Sequence, residues 1–153
     1  PSAPITTAQT GHSQLSQRVA GCRAALAEAG LTAEQCIVRR FGPGLQVGAE
    51  AVEELLAGKV AFDAILAFSD PIAVGANDAL VRHGRRVPHD VAVIGYDDSD
   101  ITRYVRPGLT SVRQDPVIAG DLMVSKLLRL MDGFAVKSER LPTSLTVRQS
   151  CGG

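Results

Sequence analysis

The run Val91-Ala92-Val93-Ile94-Gly95, followed by Tyr96-Asp97-Asp98, constrains this chain more than any other stretch. Five nearly continuous apolar residues describe a strand covered on both faces of a sheet, as in a parallel sheet flanked by helices. Two carboxylates stand at its carboxyl end. In open parallel α/β sheets, ligands bind in the crevice beyond the strand tips. The pattern therefore delivers an acid pair to a crevice.

The flanking segments extend the same architecture. Residues 1–13, rich in Thr, Ser, Pro and Gly, read as a leading loop. Leu15, Val19, Cys22, Leu26 and Ala29 recur at steps of four and three, which predicts a helix from Gln14 to Ala29 with Gly30 at its end. Cys36 to Phe41 predicts a strand, and Gly48 to Ala57 a second helix stopped by Gly58. Ala64 to Phe68 predicts a buried strand, after which Ser69 or Asp70 could cap a helix running to about His83. Alternation of helix and strand with short turns predicts a parallel sheet with right-handed crossovers. Farther on, Ile101–Val105 predicts a short helical turn or edge segment, Leu109–Arg113 a short strand, and Leu141–Arg148 an edge strand begun by Pro142. The helix predicted from Val117 to Asp132 is apolar on so many sides that it requires partners on more than one of them.

Composition narrows the function. With 153 residues the length fits one domain, and 16 basic residues balance 16 acidic ones, so the basic footprint of a stand-alone nucleic-acid binder is missing. Cys22, Cys36 and Cys151 form an odd set without C-x-x-C spacing, which reads as inert thiols in a reducing compartment. His12, His83 and His89 lack metal-pair spacing and read as surface histidines; no metal and no cofactor are expected. The run Val60–Phe68 is too short to span a membrane, and the start has no signal-peptide pattern.

Five blocks, in order, resemble one family. They are Phe62–Asp70 with Ala73-Val74-Gly75-Ala76, then Arg86-Val87-Pro88-His89-Asp90-Val91, Gly95-Tyr96-Asp97-Asp98, Pro107-Gly108-Leu109-Thr110-Ser111-Val112-Arg113-Gln114, and the ending Leu145-Thr146-Val147-Arg148-Gln149-Ser150. Across residues 14–150 the chain resembles the LacI/GalR family of bacterial transcription regulators. The resemblance implies an α/β fold, a three-layer parallel sheet flanked by helices, as the C-terminal lobe of a periplasmic-binding-protein-like, Rossmann-like effector core. It implies a helix-turn-helix head and a first lobe outside this sequence, with residues 114–133 crossing back to that lobe. Without the lobe, the crossover helix has to pack elsewhere, exchange into a neighbouring chain or cover an exposed patch; solvated apolar sides count against that reading.

The family binds a small effector, often a sugar or another metabolite, between its lobes. By motif, Asp97 accepts bonds from ligand hydroxyls and Arg18 presents its donor fork to the same ligand. On residue chemistry alone, Asp97 could instead cap a turn and Arg18 could make a surface ion pair. Ser69 stands where the family commonly has Asn, so a shorter hydroxyl takes an amide's place. Pro43 falls where some members place an aromatic platform, with Phe41 nearby. The family's dimer surface nominates Ile72, Val74, Tyr104 and Val105; ordinary core for Val74 and scattered surface for the others is the alternative. The implied protein is a cytoplasmic homodimer without enzymatic activity, touching operator DNA only through its head. Two rivals stand beside it. One is a periplasmic-type solute-binding protein. The other is a magnesium-dependent phosphoryl-transfer or phospho-acceptor domain built on Asp97, Asp98 and Asp100, with a weak phosphate-loop signal at Gly42, Gly44 and Gly48.

Overall fold

The computed structural model describes residues 4–7, 13–32, 35–39 and 42–153. In chain order the elements are β1 (Pro4–Thr7), α1 (Ser13–Glu28), β2 (Ile37–Arg39), α2 (Leu45–Ala57), β3 (Ala64–Leu66) and α3 (Asp70–Arg82). Then follow β4 (Ala92–Asp97), α4 (Ile101–Tyr104), β5 (Thr110–Arg113), α5 (Pro116–Met131), β6 (Ser144–Thr146) and a final 3₁₀ turn at Gln149–Cys151. The six strands form one sheet in the order β2-β1-β3-β4-β5-β6. Every pairing is parallel except the last, where β6 runs antiparallel to β5 at the edge.

Two expectations change here. Residues 4–7, expected within a leading loop, are a strand between β2 and β3, with Ile5 level with Ile37 and Ile65. The β-branched trio Ile5-Thr6-Thr7 favours extended backbone, but four residues give too short a pattern to stand out beside Ser, Pro and Thr neighbours. The second change concerns β4. Val91, Val93 and Gly95 are fully buried, whereas Ala92, Ile94 and Tyr96 on the opposite face are only half-buried. One face carries the main core, and the other is covered thinly.

The core explains that asymmetry. Val52 and Leu55 of α2, Ala73, Ala76 and Leu80 of α3, Ile65, Val93 and Leu109 make one apolar cluster. Two helical glycines allow α2 and α3 to approach so closely. A Cβ on Gly48 would collide with the Ile72 carbonyl, and one on Gly75 with the Leu45 carbonyl. Gly48 is thus a helix-contact residue and no part of a phosphate loop. No described residue of α1 is buried, so α1 adds little to the second face.

α5 begins sharply because the Asp115 carboxylate accepts from the amides of Val117 and Ile118 at 3.0 and 3.1 Å. None of its residues is buried, and Val117 and Met131 are 70% and 74% exposed. Among the described residues no partner covers this apolar helix, which counts against packing elsewhere on this lobe. No helix among the described residues is long and apolar enough to cross a membrane.

The two kinds of helical glycine should respond oppositely to one added methyl group. Gly75→Ala forces α2 and α3 apart and costs about 1–3 kcal/mol, the usual scale for overpacking. Gly120→Ala, where nothing lies within 4 Å of the new carbon, stabilises by up to about 1 kcal/mol through helix propensity. Chemical denaturation of both variants checks the opposite signs.

Candidate functional site

The carboxyl ends of β3, β4 and β5 meet at one edge of the sheet. They carry Phe68-Ser69, Tyr96-Asp97 and Gln114, and α1 reaches over them with Arg18. Arg18 Nη1 donates to the Phe68 carbonyl at 2.8 Å. Its guanidinium lies over the Tyr96 ring, 3.6 Å from the centroid, a cation–π contact that also fixes the plane of the fork. Gln114 Nε2 donates to Asp97 Oδ1 at 2.7 Å. Arg18, Tyr96 and Gln114 line a hollow of about 750 Å³, whose opposite wall includes Ala119, Leu122 and Met123 of α5. Asp97 joins it through Gln114.

Asp97 has a mixed setting. Its side chain is exposed to solvent, yet surrounding protein on one side desolvates it and pushes its carboxyl above the ordinary value. That outweighs the lowering by the Gln114 bond and the nearby Arg18 charge. A perturbed acid in a concave site with a cation beside it is a physical candidate for ligand contact. Ser69 precedes α3 in extended conformation and makes no capping bond, so its hydroxyl is not used up in holding the helix.

Backbone strain sits at the same place. Asp97 and Asp98 have positive φ angles of 104° and 51°, a region L-residues avoid at a cost of about 1–3 kcal/mol each. Two buried groups, Asp70 and Ser111, hold the turn. Of the two residues offered as caps, Ser69 takes the N-cap position, and Asp70, in the first turn of α3, is wholly buried. Its Oδ2 accepts from the Ser99 amide and hydroxyl, both at 2.7 Å, and its Oδ1 from Ser111 Oγ at 2.6 Å. Ser111 Oγ in turn accepts from the Asp98 amide at 3.0 Å. Gly95 is required beside this cluster, since a Cβ there would meet Asp70 Oδ1.

Asp98 separates from Asp97 in role. It forms a shielded ion pair with Arg148 at 2.7 Å, their side chains 3% and 15% exposed, and accepts from Thr146 Oγ1 at 3.0 Å. Burial alone would raise its carboxyl, but the Arg148 and Thr146 bonds outweigh that and hold it low. An acid so committed cannot share a magnesium ion with Asp97 and Asp100. Among the described residues no three His, Cys, Asp or Glu side chains cluster as metal ligands.

The remaining nominations divide. Ile72 and Val74 belong to the hydrophobic core at 8% and 9% exposure, because α2 already covers them; as a dimer surface they are corrected. Tyr104 is 79% exposed and Val105 half-buried. Phe41 and His12 lie outside the described residues, and His83 and His89 are exposed. Sequence reading passed over Tyr96 and Gln114, though each falls at a strand's carboxyl end, where the crevice rule points.

A hollow lined by Arg18, Tyr96 and Gln114, with Asp97 bonded to Gln114 beside it, lies at the tips of parallel strands in an α/β lobe. The comparisons specify which. A model of the periplasmic binding protein-like domain matches residues 5–151. The transcriptional regulator CelR of Thermobifida fusca is 37% identical over 136 residues, 88% of this chain and 40% of that protein. GalR of Escherichia coli is 36% identical over 120 residues, 78% of this chain and 35% of that protein. Among solved structures, the CelR–cellobiose complex superposes with a TM-score of 0.83 at 35% identity, over 95% of this chain and 46% of that one. The lac repressor dimer bound to operator and the anti-inducer ONPF gives 0.89 at 29% identity, over 98% and 45%. The chain belongs to the periplasmic binding protein-like domain family, in the form carried by LacI/GalR regulators. It spans about two fifths or less of the curated relatives' length.

The ion pair at Asp98 gives a test with a defined sign. A carboxyl held low when folded adds stability above its unfolded value of about 3.9, and that contribution is lost as pH falls through the folded value. Arg148→Met should cost about 3–5 kcal/mol near neutral pH by stranding a buried charge. Its deficit relative to wild type should shrink toward pH 3 in urea titrations, as Asp98 becomes protonated.

Proposed function

We propose that this chain is the effector-sensing lobe of a LacI/GalR-type transcription regulator, taking a small polar metabolite of sugar type against the strand tips. The observation that carries this reading is that Arg18 and Gln114 line one hollow and Gln114 donates to Asp97 at its side. A carboxylate offers two oxygens to neighbouring hydroxyls, and a planar guanidinium offers fixed paired donors. Ser69 stands at the adjacent strand end and adds a hydroxyl. The apolar ring of Tyr96 beneath Arg18 limits that fork's freedom, so less rotamer entropy is lost on binding. The CelR structure with cellobiose supports a sugar for this chain as well.

In the intact regulator, the solvated apolar face of α5 fits a second lobe that closes the hollow from above. A ligand that binds the closed arrangement more tightly shifts the population toward it. Through a DNA-binding head in each subunit of a homodimer, that shift alters operator affinity. Exposed Tyr104 and half-buried Val105 are the residues proposed for the pairing surface. A cytoplasmic location follows from operator binding. The names of the relatives are those of regulators, not enzymes, and together with the block order they favour this reading over a transport protein or a phosphoryl-transfer domain.

The test uses the intact regulator and a panel of mono- and disaccharides that includes cellobiose. The sugar that binds should stabilise the protein by about 2.7 kcal/mol at a hundredfold excess over Kd. Asp97→Ala and Arg18→Ala should each remove most of that gain while leaving the ligand-free melting temperature within a few degrees. An undiminished gain in both variants would overturn the site.

A further inference from the structure

A second hollow, of about 740 Å³, opens at the other end of β5 from the one that carries Gln114. Arg103 of α4, Arg106 and Gly108 line it from the segment that leads into β5. Arg148 and Gln149 line it from the chain that leaves β6. Because β6 runs antiparallel to β5, its end lies beside the start of β5, and Arg148 Nη1 donates to the Leu109 carbonyl at 2.6 Å. A Cβ on Gly108 would meet Gln149 Oε1, so that side chain lies against this wall.

The charge of the hollow is one-sided. Three guanidiniums line it, and among the described residues no Asp or Glu does. Arg148 is already neutralised by Asp98 at 2.7 Å, with both side chains shielded from water. It stiffens the wall and adds no spare charge. Arg103 and Arg106 differ from it. Both are exposed, and neither has an ion pair among the described residues. Arg106 Nη1 donates to the carbonyls of Arg103 and Val105 at 3.2 and 3.0 Å. Those bonds hold the guanidinium against its own loop and leave Nε and Nη2 for another acceptor. Gly153 also lines the hollow, and among the described residues its carboxylate pairs with none of these arginines. In a chain whose 16 basic and 16 acidic residues balance, two unpaired cations in one concavity are a local excess.

We propose that this hollow is a phosphate-binding site with Arg103 and Arg106 as its paired donors. Their two charges match a phosphate group, which carries about −1.5 to −2 at pH 7. A planar guanidinium also meets two phosphate oxygens at once. A carboxylate would offset only one of the charges. The volume lies within the range of about 300–1,000 Å³ usual for small-molecule sites, which leaves room beyond the phosphate itself. The ligand is therefore inorganic phosphate or the phosphate end of a small phosphorylated metabolite. This site stands independently of the effector reading.

The full chain, isotope-labelled for residue-resolved NMR, is titrated with inorganic phosphate and with glycerol 3-phosphate at an ionic strength held constant with chloride. The amide signals of Arg103, Gly108 and Gln149 should move and saturate, while those of Tyr96 and Gln114 stay in place. Phosphate binding at least as tightly as the ester identifies the free anion as ligand, and tighter binding of the ester identifies a phosphorylated metabolite; either result upholds the site. Arg103→Gln and Arg106→Gln should each weaken binding by roughly tenfold to a hundredfold, and Arg129→Gln on α5 should leave it unchanged. Shifts that do not saturate, that chloride reproduces, or that centre on Tyr96 and Gln114 overturn the proposal. So does undiminished affinity when both Arg103→Gln and Arg106→Gln are present.

Discussion

The carboxylate of Asp70 is the constraint on which the rest of the site depends. It is wholly removed from water and accepts bonds from the Ser99 amide, the Ser99 hydroxyl and the Ser111 hydroxyl. Taking such a group out of water without partners would be prohibitive. With them, three segments distant in sequence become one unit: the start of α3, the turn after β4, and β5. Its place in the first turn of α3 also sets it against the positive end of the helix dipole. The strained backbone at Asp97 and Asp98 persists because this unit over-determines it.

Once the turn is fixed, two neighbouring acids acquire different work. Asp98 points into the protein, pairs with Arg148 and Thr146, and fastens the β6 edge and the terminal 3₁₀ turn to β5. Ser150 completes that fastening, accepting from the Thr110 amide and donating to the Val93 carbonyl. Asp97 stays exposed beside the hollow and accepts from Gln114. Their carboxyls shift in opposite directions, Asp98 downward and Asp97 upward. Divergence of adjacent acids by environment is how one turn supplies both a structural anchor and a solvent-accessible carboxyl.

What the sequence disclosed, and what it hid, follows from the range of the interactions involved. β4 and its acidic end were legible because an apolar run and the residues after it are local facts. So were α1, α3 and α5, whose periodicity lies within the helix. Arg18, Ser69 and Asp97 are nominated through motif resemblance; the fold puts Arg18 in the hollow and Asp97 beside it, bonded to Gln114. The buried role of Asp70, one of two possible caps by local pattern, was hidden because its three donors lie about thirty and forty residues away. Gly48 and Gly75 reveal their purpose only once α2 crosses α3. Ile72 and Val74 became core for the same reason. β1 was hidden by its brevity.

The central claim is that Asp70 holds the turn that presents Asp97. Residue-resolved amide hydrogen exchange at Ser99, in wild type and in Asp70→Ala, tests it most directly. Loss of a bond to a charged acceptor is worth about 1.5–3 kcal/mol, so exchange at Ser99 should quicken by roughly tenfold to a hundredfold while the Val93 amide in β4 stays protected. A Ser99 amide that exchanges equally slowly in both proteins, with the variant still folded, would contradict the claim.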